Sequence, residues 1–511
     1  MSDQPGSGLF EAAGEAAGES AVDVLDTAEA GRRVLVGGAI RVGGFVVGVG
    51  ASVVAAAFVT RHLGPDDYGR YQSVVALVTI VAIVTDLGMT TLGLREYSQR
   101  SGADRERFMR VLLGLRLAMT IVGVALATLI SWALGYDSAM ILGAAVMGVG
   151  ILVSVVAGTT GIPLAADIRM GAVTGLDLAR QLVTAVAFII LVALNSGIVG
   201  FLAVVIPAYL VVLVGTLILL RGSAILRPVI DGRQWLALVR PTITFALATA
   251  TGAIYVYAAQ VLTELVASHR EAGLFGASFR VFIILATVPG VLVTTAFPLL
   301  SRAARDDRGR LAYATQRLFE VTALLGGAAL VACILGAAPV IAVVAGPDYV
   351  DAVPVLRVQG AALAMTFIIA TWGFTLLALH RHRQMVVANL VALVVSATTV
   401  LILARSHGAL GAAFGTLLGE MTLAAGYLIG LTRGDRRMRP RMARVWRTVP
   451  AVLLALACGL LPLPAAVTTV IGLGLYVLCL LLFGAVPNEV RERLPLGLGR
   501  LGPTLDDTPE D

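Results

Sequence analysis

Residues 273–300 read GLFGASFRVFIILATVPGVLVTTAFPLL, an apolar run interrupted once by a permanent cation, Arg280. A helix needs about 20 apolar residues to cross the hydrocarbon core of a bilayer. This run is long enough, and the guanidinium lies inside it. Runs of this kind recur along the whole chain, at 34–60, 71–94, 111–135, 139–165, 176–195, 197–220, 241–267, 274–300, 318–345, 352–379, 385–404, 408–431, 449–463 and 465–486. They predict fourteen transmembrane helices.

The composition agrees. The 511 residues are 58% hydrophobic and 14% charged, whereas soluble chains carry about 25% charged residues. Mean hydropathy is +0.90 and the pI is near 9.5. In a soluble protein the net charge of +6 would suggest a nucleic-acid partner. Here the connections hold the charge, and no nucleic acid is implied. All 38 basic residues are Arg, so neither a phosphate-binding loop of the Walker type nor a Schiff-base lysine can form. Cys333, Cys458 and Cys479 all lie in apolar runs without paired spacing, which predicts neither disulfide nor zinc site. The His380–Arg383 turn, HRHR, is weak as a metal site and fits loop charge. No cofactor is expected.

Loop arginines tend to stay on the cytoplasmic side. With the N-terminus inside, 29 Arg fall in cytoplasmic segments, 4 in outer loops and 5 within spans. This predicts a multi-pass plasma-membrane protein with both termini cytoplasmic. The first thirty residues hold seven acids and no Arg, the wrong charge for a signal peptide. The expected divisions are a tail at 1–33, spans one to six at 34–220 and an amphipathic linker at 221–240. Spans seven to twelve follow at 241–431, a basic loop at 432–448, the last two spans at 449–486 and a second tail at 487–511. No connection exceeds about twenty residues, far fewer than a domain needs, so all the work is expected within or beside the bilayer.

Two segments echo one another. YGRYQSVV (68–75) opens the second span and AGLFGASF (272–279) the eighth, each with Gly, any residue, then an aromatic. Spans six apart cross in the same direction, which fits two parallel six-helix halves. In the first span, Gly44 and Gly48 are four apart, a spacing that lets helix backbones approach closely.

With these residues in view, the chain resembles the polysaccharide-transporter flippases of the multidrug/oligosaccharidyl-lipid/polysaccharide (MOP) exporter superfamily. The resemblance is carried by TRHLGPDDYGRYQSV (60–74) with TDLG (85–88), and by AGLFGASFRVF through FPLLSR (272–302). GPDYVDAVPVLRV (346–358) and GALGAAFGTLLGE (408–420) complete it. It covers about residues 31–435, and the last two spans match the fourteen-helix members. It implies an all-α, MATE-like fold of two six-helix lobes plus two C-terminal helices. It further implies a bacterial inner-membrane protein that moves a lipid-linked oligosaccharide of the undecaprenyl-pyrophosphate type outward by alternating access. The partners it suggests are that substrate, membrane lipids, and the polymerase and glycosyltransferases of the same surface-polysaccharide pathway. Two rivals stand beside it, a multidrug or cation antiporter of the same superfamily and a membrane-embedded glycosyltransferase or polymerase.

An ionised side chain at the bilayer centre costs about 2.5–3.5 kcal/mol on insertion scales, so each charge inside a span needs a reason. Arg116 and Arg180 lie near span ends and can snorkel, Arg180 with Asp177 as local partner. Arg280 has two readings. Glu264 on the neighbouring helix, with Gln260 one turn away, would form a salt bridge with it. Alternatively, Arg280 faces water and holds the substrate's pyrophosphate through paired hydrogen bonds, with Glu264 as its counter-charge when the site is empty. Arg41 and Arg357 would extend it into a cationic ladder. Asp86 and Glu420 lie deep in spans two and twelve and are candidates for H⁺ or Na⁺ coupling.

Overall fold

The computed structural model describes residues 28–86, 88–167, 170–220, 227–433 and 435–486. The two expected tails lie largely outside this range, as do residues 221–226 of the linker. Every regular element among the described residues is helical. In chain order they are α1 (Ala28–Asp86), α2 (Met89–Gln99), α3 (Gly102–Ala133), α4 (Ser138–Thr160), α5 (Ile162–Ala166), α6 (Met170–Ala193), α7 (Ile198–Ala203) and α8 (Val205–Leu219). Then come α9 (Gly232–Val266), α10 (His269–Asp306), α11 (Arg308–Leu335), α12 (Ala337–Val344), α13 (Ala352–Ala378), α14 (His382–Thr432), α15 (Ala443–Ala457) and α16 (Ala465–Leu482).

Eleven helices among the described residues are long and apolar enough to cross a bilayer, against the fourteen runs in the sequence. The difference has three sources. α14 alone holds the eleventh and twelfth runs and bends at Gly408 (φ 53°, ψ −132°). The apolar part of α9 is short, Ala250–Val266, because the helix begins in the polar linker and runs on into the seventh span. The first run lies mainly among side chains outside the described set.

The bend at Gly408 folds α14 into an antiparallel pair. Added side-chain atoms at Gly419 and Gly426 would meet Ser396 at 2.8 Å and Ala388 at 2.7 Å, and Arg381 Nη1 donates to the Gly430 carbonyl at 2.7 Å. These partners are placed symmetrically about residue 408. Gly64 interrupts α1 in the same way (φ 65°, ψ 174°), with Pro65 starting the next helical turn, where its missing N–H costs nothing. A left-handed φ of this kind suits glycine.

Two groups of helices each build an apolar core, and a third core, with Val59, Tyr68, Phe201, Phe275 and Leu356, spans both. Of the first two, one joins Val74, Leu77, Met140, Met147 and Leu202 of α1, α4 and α7. The other joins Leu300, Phe319, Trp372, Leu423 and Tyr427 of α10, α11, α13 and α14. α15 and α16 are fastened to α11: Glu320, buried, accepts from Arg317 and Arg444, each at 3.0 Å, and Tyr476 donates to the Leu324 carbonyl at 2.8 Å. Ahead of α9, Val229 bonds the backbone of Arg110, and Trp235, Leu238 and Val239 pack on Phe108, Met109 and Leu112.

At the Arg-poor end of the bundle the two groups meet through backbone. A side-chain atom at Gly273 would collide with the Pro65 carbonyl, and one at Gly69 with the His269 carbonyl. These are the two glycines of the sequence echo. Around the crossing, Arg61 donates to the carbonyls of Ala342 (3.0 Å) and Val343 (2.9 Å), Thr60 to that of Val344 (2.9 Å), and Tyr349 to that of Thr60 (3.0 Å). Burial keeps the Tyr349 phenol well above its usual pKa, so it remains a donor. Glu271 caps the second arm of α14, accepting from the Ala409 amide at 2.7 Å.

The Gly273→Ala variant should therefore lower the melting temperature in detergent by several degrees, since overpacking against fixed backbone costs about 1–3 kcal/mol. Gly276→Ala faces the movable Gln72 side chain at 2.9 Å and should change it little. Equal effects of the two substitutions would refute the backbone crossing.

Candidate functional site

A cavity of about 210 Å³ lies among α1, α4, α6, α7, α8 and α10. Its polar lining comes from Tyr68, Tyr71 and Gln72 on the second arm of α1, Arg180 on α6, Tyr209 on α8 and Arg280 on α10. Arg280 sits eleven residues into α10, about 16 Å along the helix at 1.5 Å per residue. Arg180 lies ten residues into α6, about 15 Å from its start. Both lie within helices long and apolar enough to cross a bilayer.

The two guanidiniums differ in company. Asp177 holds Arg180 at 3.0 Å (Nε) and 2.7 Å (Nη2), and the Arg180 head lies 5.6 Å from the Tyr209 ring centre. Arg280 acts electrostatically on the phenols of Tyr68, Tyr71 and Tyr257. Tyr68 stacks on Tyr71 at 5.9 Å and meets Tyr349 edge-on at 6.1 Å, which links the cavity wall to the closure at the Arg-poor end. Guanidinium groups bind phosphate through paired hydrogen bonds. Phenol and amide groups add donors and acceptors suited to an oxyanion or a hydroxyl-rich ligand.

Glu264, the expected counter-charge of Arg280, is held at the turn between α9 and α10. Glu264 is buried and bonds His269 and, at 3.2 Å, Ser73. Gln260 donates to Ser73 (3.3 Å) and to the Ala272 carbonyl (3.1 Å). The reason is depth. α9 and α10 turn at residues 267–268, so the residues level with Arg280 lie near 255–257, and Tyr257 is the one that feels its charge. Glu264 instead reaches across the turn and, with Ser73, ties the two helix groups together.

The expected ladder is also different. Arg357 is exposed on α13 and does not line the cavity. The Arg41 side chain lies outside the described residues. Arg180, read from sequence as a snorkelling residue, lines the cavity beside Arg280. The apolar run starts at 176 in the sequence, whereas the helix starts at Met170, which places Arg180 deeper than the sequence suggests.

Asp86 and Glu420 part ways. Asp86 ends α1 and pairs with buried Arg116 at 2.7 Å, and Arg116 also bonds Thr90 and Thr159, each at 2.9 Å. Asp86 is thus a fixed counter-charge, not a free carboxylate. Glu420 is buried among hydroxyls, accepting from Tyr255 at 2.9 Å and Thr366 at 2.8 Å. Among the described residues no cluster of His, Cys, Asp and Glu is arranged to hold a metal.

The sequence matches the family described as polysaccharide biosynthesis protein over residues 58–354. The chain belongs to that family. A search of curated proteins gives no match. Among solved structures, the polysaccharide biosynthesis chain is similar to the lipid II flippase MurJ in an inward closed conformation, with a TM-score of 0.71 and 12% identity, over 87% of this chain and 98% of that one. It is also similar to an inward-facing multidrug resistance MATE transporter of the MOP superfamily, with a TM-score of 0.65 and 14% identity, over 78% and 98% of the chains. A MOP superfamily transporter from Pyrococcus furiosus, described as having a binding pocket of reverse polarity, follows at 0.53 and 15%, over 78% and 94%. The all-helical, MATE-like fold read from the sequence is the fold observed.

Breaking the buried pair with Arg116→Ala should destabilise the protein by about 3 kcal/mol, the lower end for a buried ion pair because Asp86 is part-exposed. Replacing both partners, Arg116→Gln with Asp86→Asn, should recover most of that loss. Thermal unfolding of the three proteins in one detergent measures it; an absence of recovery would show that the two charges act independently.

Proposed function

We propose that this chain is a flippase for lipid-linked oligosaccharides of the undecaprenyl-pyrophosphate type, serving surface-polysaccharide synthesis. One observation carries the reading: Arg280 and Arg180, from the two helix groups, line one cavity among membrane-spanning helices. Charge there is costly, and a diphosphate head group gives it a use. The family and the MurJ-like fold support the same reading.

In this scheme residues 34–220 and 241–431 are two lobes that rock about the cavity, with 449–486 packed on the second. The Arg-rich end faces the cytoplasm, and both termini lie there. The crossing of Gly69 and Gly273 is the outer gate, shut in this state, with Glu264 and Gln260 as its polar latch. Arg280 takes the diphosphate and Arg180 shares it once Asp177 lets go. At about 210 Å³ the cavity is smaller than the roughly 300–1,000 Å³ that encloses a drug-sized ligand, so it holds a head-group fragment until the lobes part. Arg41 and Arg357 would meet the head group at the two entrances. Glu420, bonded only to hydroxyls among the described residues, is the candidate for H⁺ or Na⁺ coupling; Asp86 no longer is. A cation substrate would meet two guanidiniums here, which counts against an antiporter for organic cations.

In proteoliposomes carrying a fluorescent undecaprenyl-pyrophosphate saccharide, Arg280→Ala should slow flipping by about tenfold or more, as loss of a charged hydrogen-bonding partner implies. Arg280→Lys should fall between it and wild type. Equal rates for wild type and Arg280→Ala would remove the head-group role.

Orientation has its own check. In a background lacking Cys333, Cys458 and Cys479, a Ser196→Cys variant should react with an impermeant maleimide in intact cells. A Ser101→Cys variant should react only after permeabilisation. The opposite pattern would invert the topology.

A further inference from the structure

We propose that the groove between the two arms of α14, at the Arg-rich end, is a binding site for an anionic phospholipid. The groove has a volume of about 550 Å³, with Arg383, Gln384 and Arg433 among its polar lining and Val387, Val391 and Ile429 among its apolar lining. Arg383 stands at the start of the first arm and Arg433 one residue past the end of the second. The fold at Gly408 therefore brings two cations from opposite ends of one helix to one groove.

Both guanidiniums are exposed, and neither has a hydrogen-bond or ion-pair partner among the described residues. The neighbouring groups are already occupied. Arg381 satisfies the Gly430 and Leu431 carbonyls (2.7 and 3.3 Å), and Asp435 accepts from the Arg437 amide at 2.9 Å. What remains is a pair of unengaged cations above an apolar channel, the charge and shape complement of a glycerophosphate head with an acyl chain. Basic pockets between transmembrane helices select such lipids over zwitterionic ones.

The occupant is a resident lipid and not the cargo. Behind the groove the two arms close on one another, where Gly426 lies against Ala388. Asn389 donates to the Tyr427 hydroxyl at 3.0 Å, with both residues buried. The wall facing out is lipid-exposed, Val387 at 52% and Val391 at 49%. No residue of the groove lines the Arg280 cavity, so a lipid held here has no route inward.

Native mass spectrometry of the full chain in detergent tests this, with cardiolipin, phosphatidylglycerol and phosphatidylethanolamine offered in competition. Wild type should retain the anionic lipids with about tenfold preference, the scale expected of two basic side chains at a membrane surface. Arg383→Ala with Arg433→Ala should abolish the preference. Ala425→Trp, which fills the groove and leaves both charges, should abolish it as well. Unchanged melting temperatures without added lipid verify folding, and Arg383→Lys with Arg433→Lys, which keeps the charge, should retain the preference. Inorganic phosphate at millimolar concentration should not displace the lipid. Equal retention of the three lipids, persistence of the preference in the double Ala variant or in Ala425→Trp, displacement by phosphate alone, or stronger retention of undecaprenyl phosphate than of phospholipid would each overturn the proposal.

Discussion

With no side chain at Gly69 or Gly273, the backbones of α1 and α10 touch, and the Arg-poor end of the bundle is closed by main chain against main chain. The bonds around this crossing run chiefly to carbonyl oxygens: Arg61, Thr60 and Tyr349 all donate to backbone. Such a seam depends on fit more than on side-chain identity. It also cannot be parted into hydrocarbon, because each freed carbonyl would cost several kcal/mol there. It can part only where water enters to replace the lost bonds. The closure thus couples opening to wetting of the space behind it, where Tyr68 joins Tyr349 at the seam to the wall of the Arg280 cavity.

That coupling sorts the intramembrane charges by what surrounds them. Arg116 is buried, with Asp86, Thr90 and Thr159 all within hydrogen-bond distance, and Glu320 is enclosed by Arg317, Arg444 and Gln316. Both clusters are matched and inward-facing; they hold helix to helix. Arg180 is half-matched, since Asp177 takes two of its nitrogens. Arg280 borders the cavity and three phenols feel its charge. The gradation runs from charges enclosed by partners to charges that line the cavity.

Depth alone was what the sequence offered, which explains where the reading of the chain succeeded and where it did not. Apolar runs and the Arg imbalance report solvent, so the polytopic helical fold was legible before any coordinates. The echo of Gly69 and Gly273 was legible as a repeat; that the two glycines touch was not, because contact between distant segments leaves no periodicity. Hydropathy could not separate α2 from the second span, since Gly88 ends the run by conformation (φ 71°, ψ 16°) and not by polarity. Arg280 and Glu264 differ in depth by about two turns. Across a tight turn, equal depth means equal distance from the turn, and Glu264 is four residues from its centre while Arg280 is twelve. The same arithmetic points to Tyr257. Rotation about the helix axis was the other missing quantity: it turns Arg357 outward and Arg180 inward, and no count of residues supplies it.

Glu420 shows how far this sorting can be taken. It is as deeply buried as Arg116, yet its hydrogen-bond partners among the described residues are neutral, the hydroxyls of Tyr255 and Thr366. A carboxylate without a cation is disfavoured in an apolar interior, and a bound proton or small cation removes the penalty. Its two partners belong to α9 and α13, and Tyr255 lies two residues from Tyr257, which feels Arg280. α9 therefore carries one phenol bonded to the carboxylate and another near Arg280. A change of charge at Glu420 that loosened its bond to Tyr255 would act on the same helix segment that faces Arg280. That short stretch of α9 is the physical link between the buried carboxylate and Arg280.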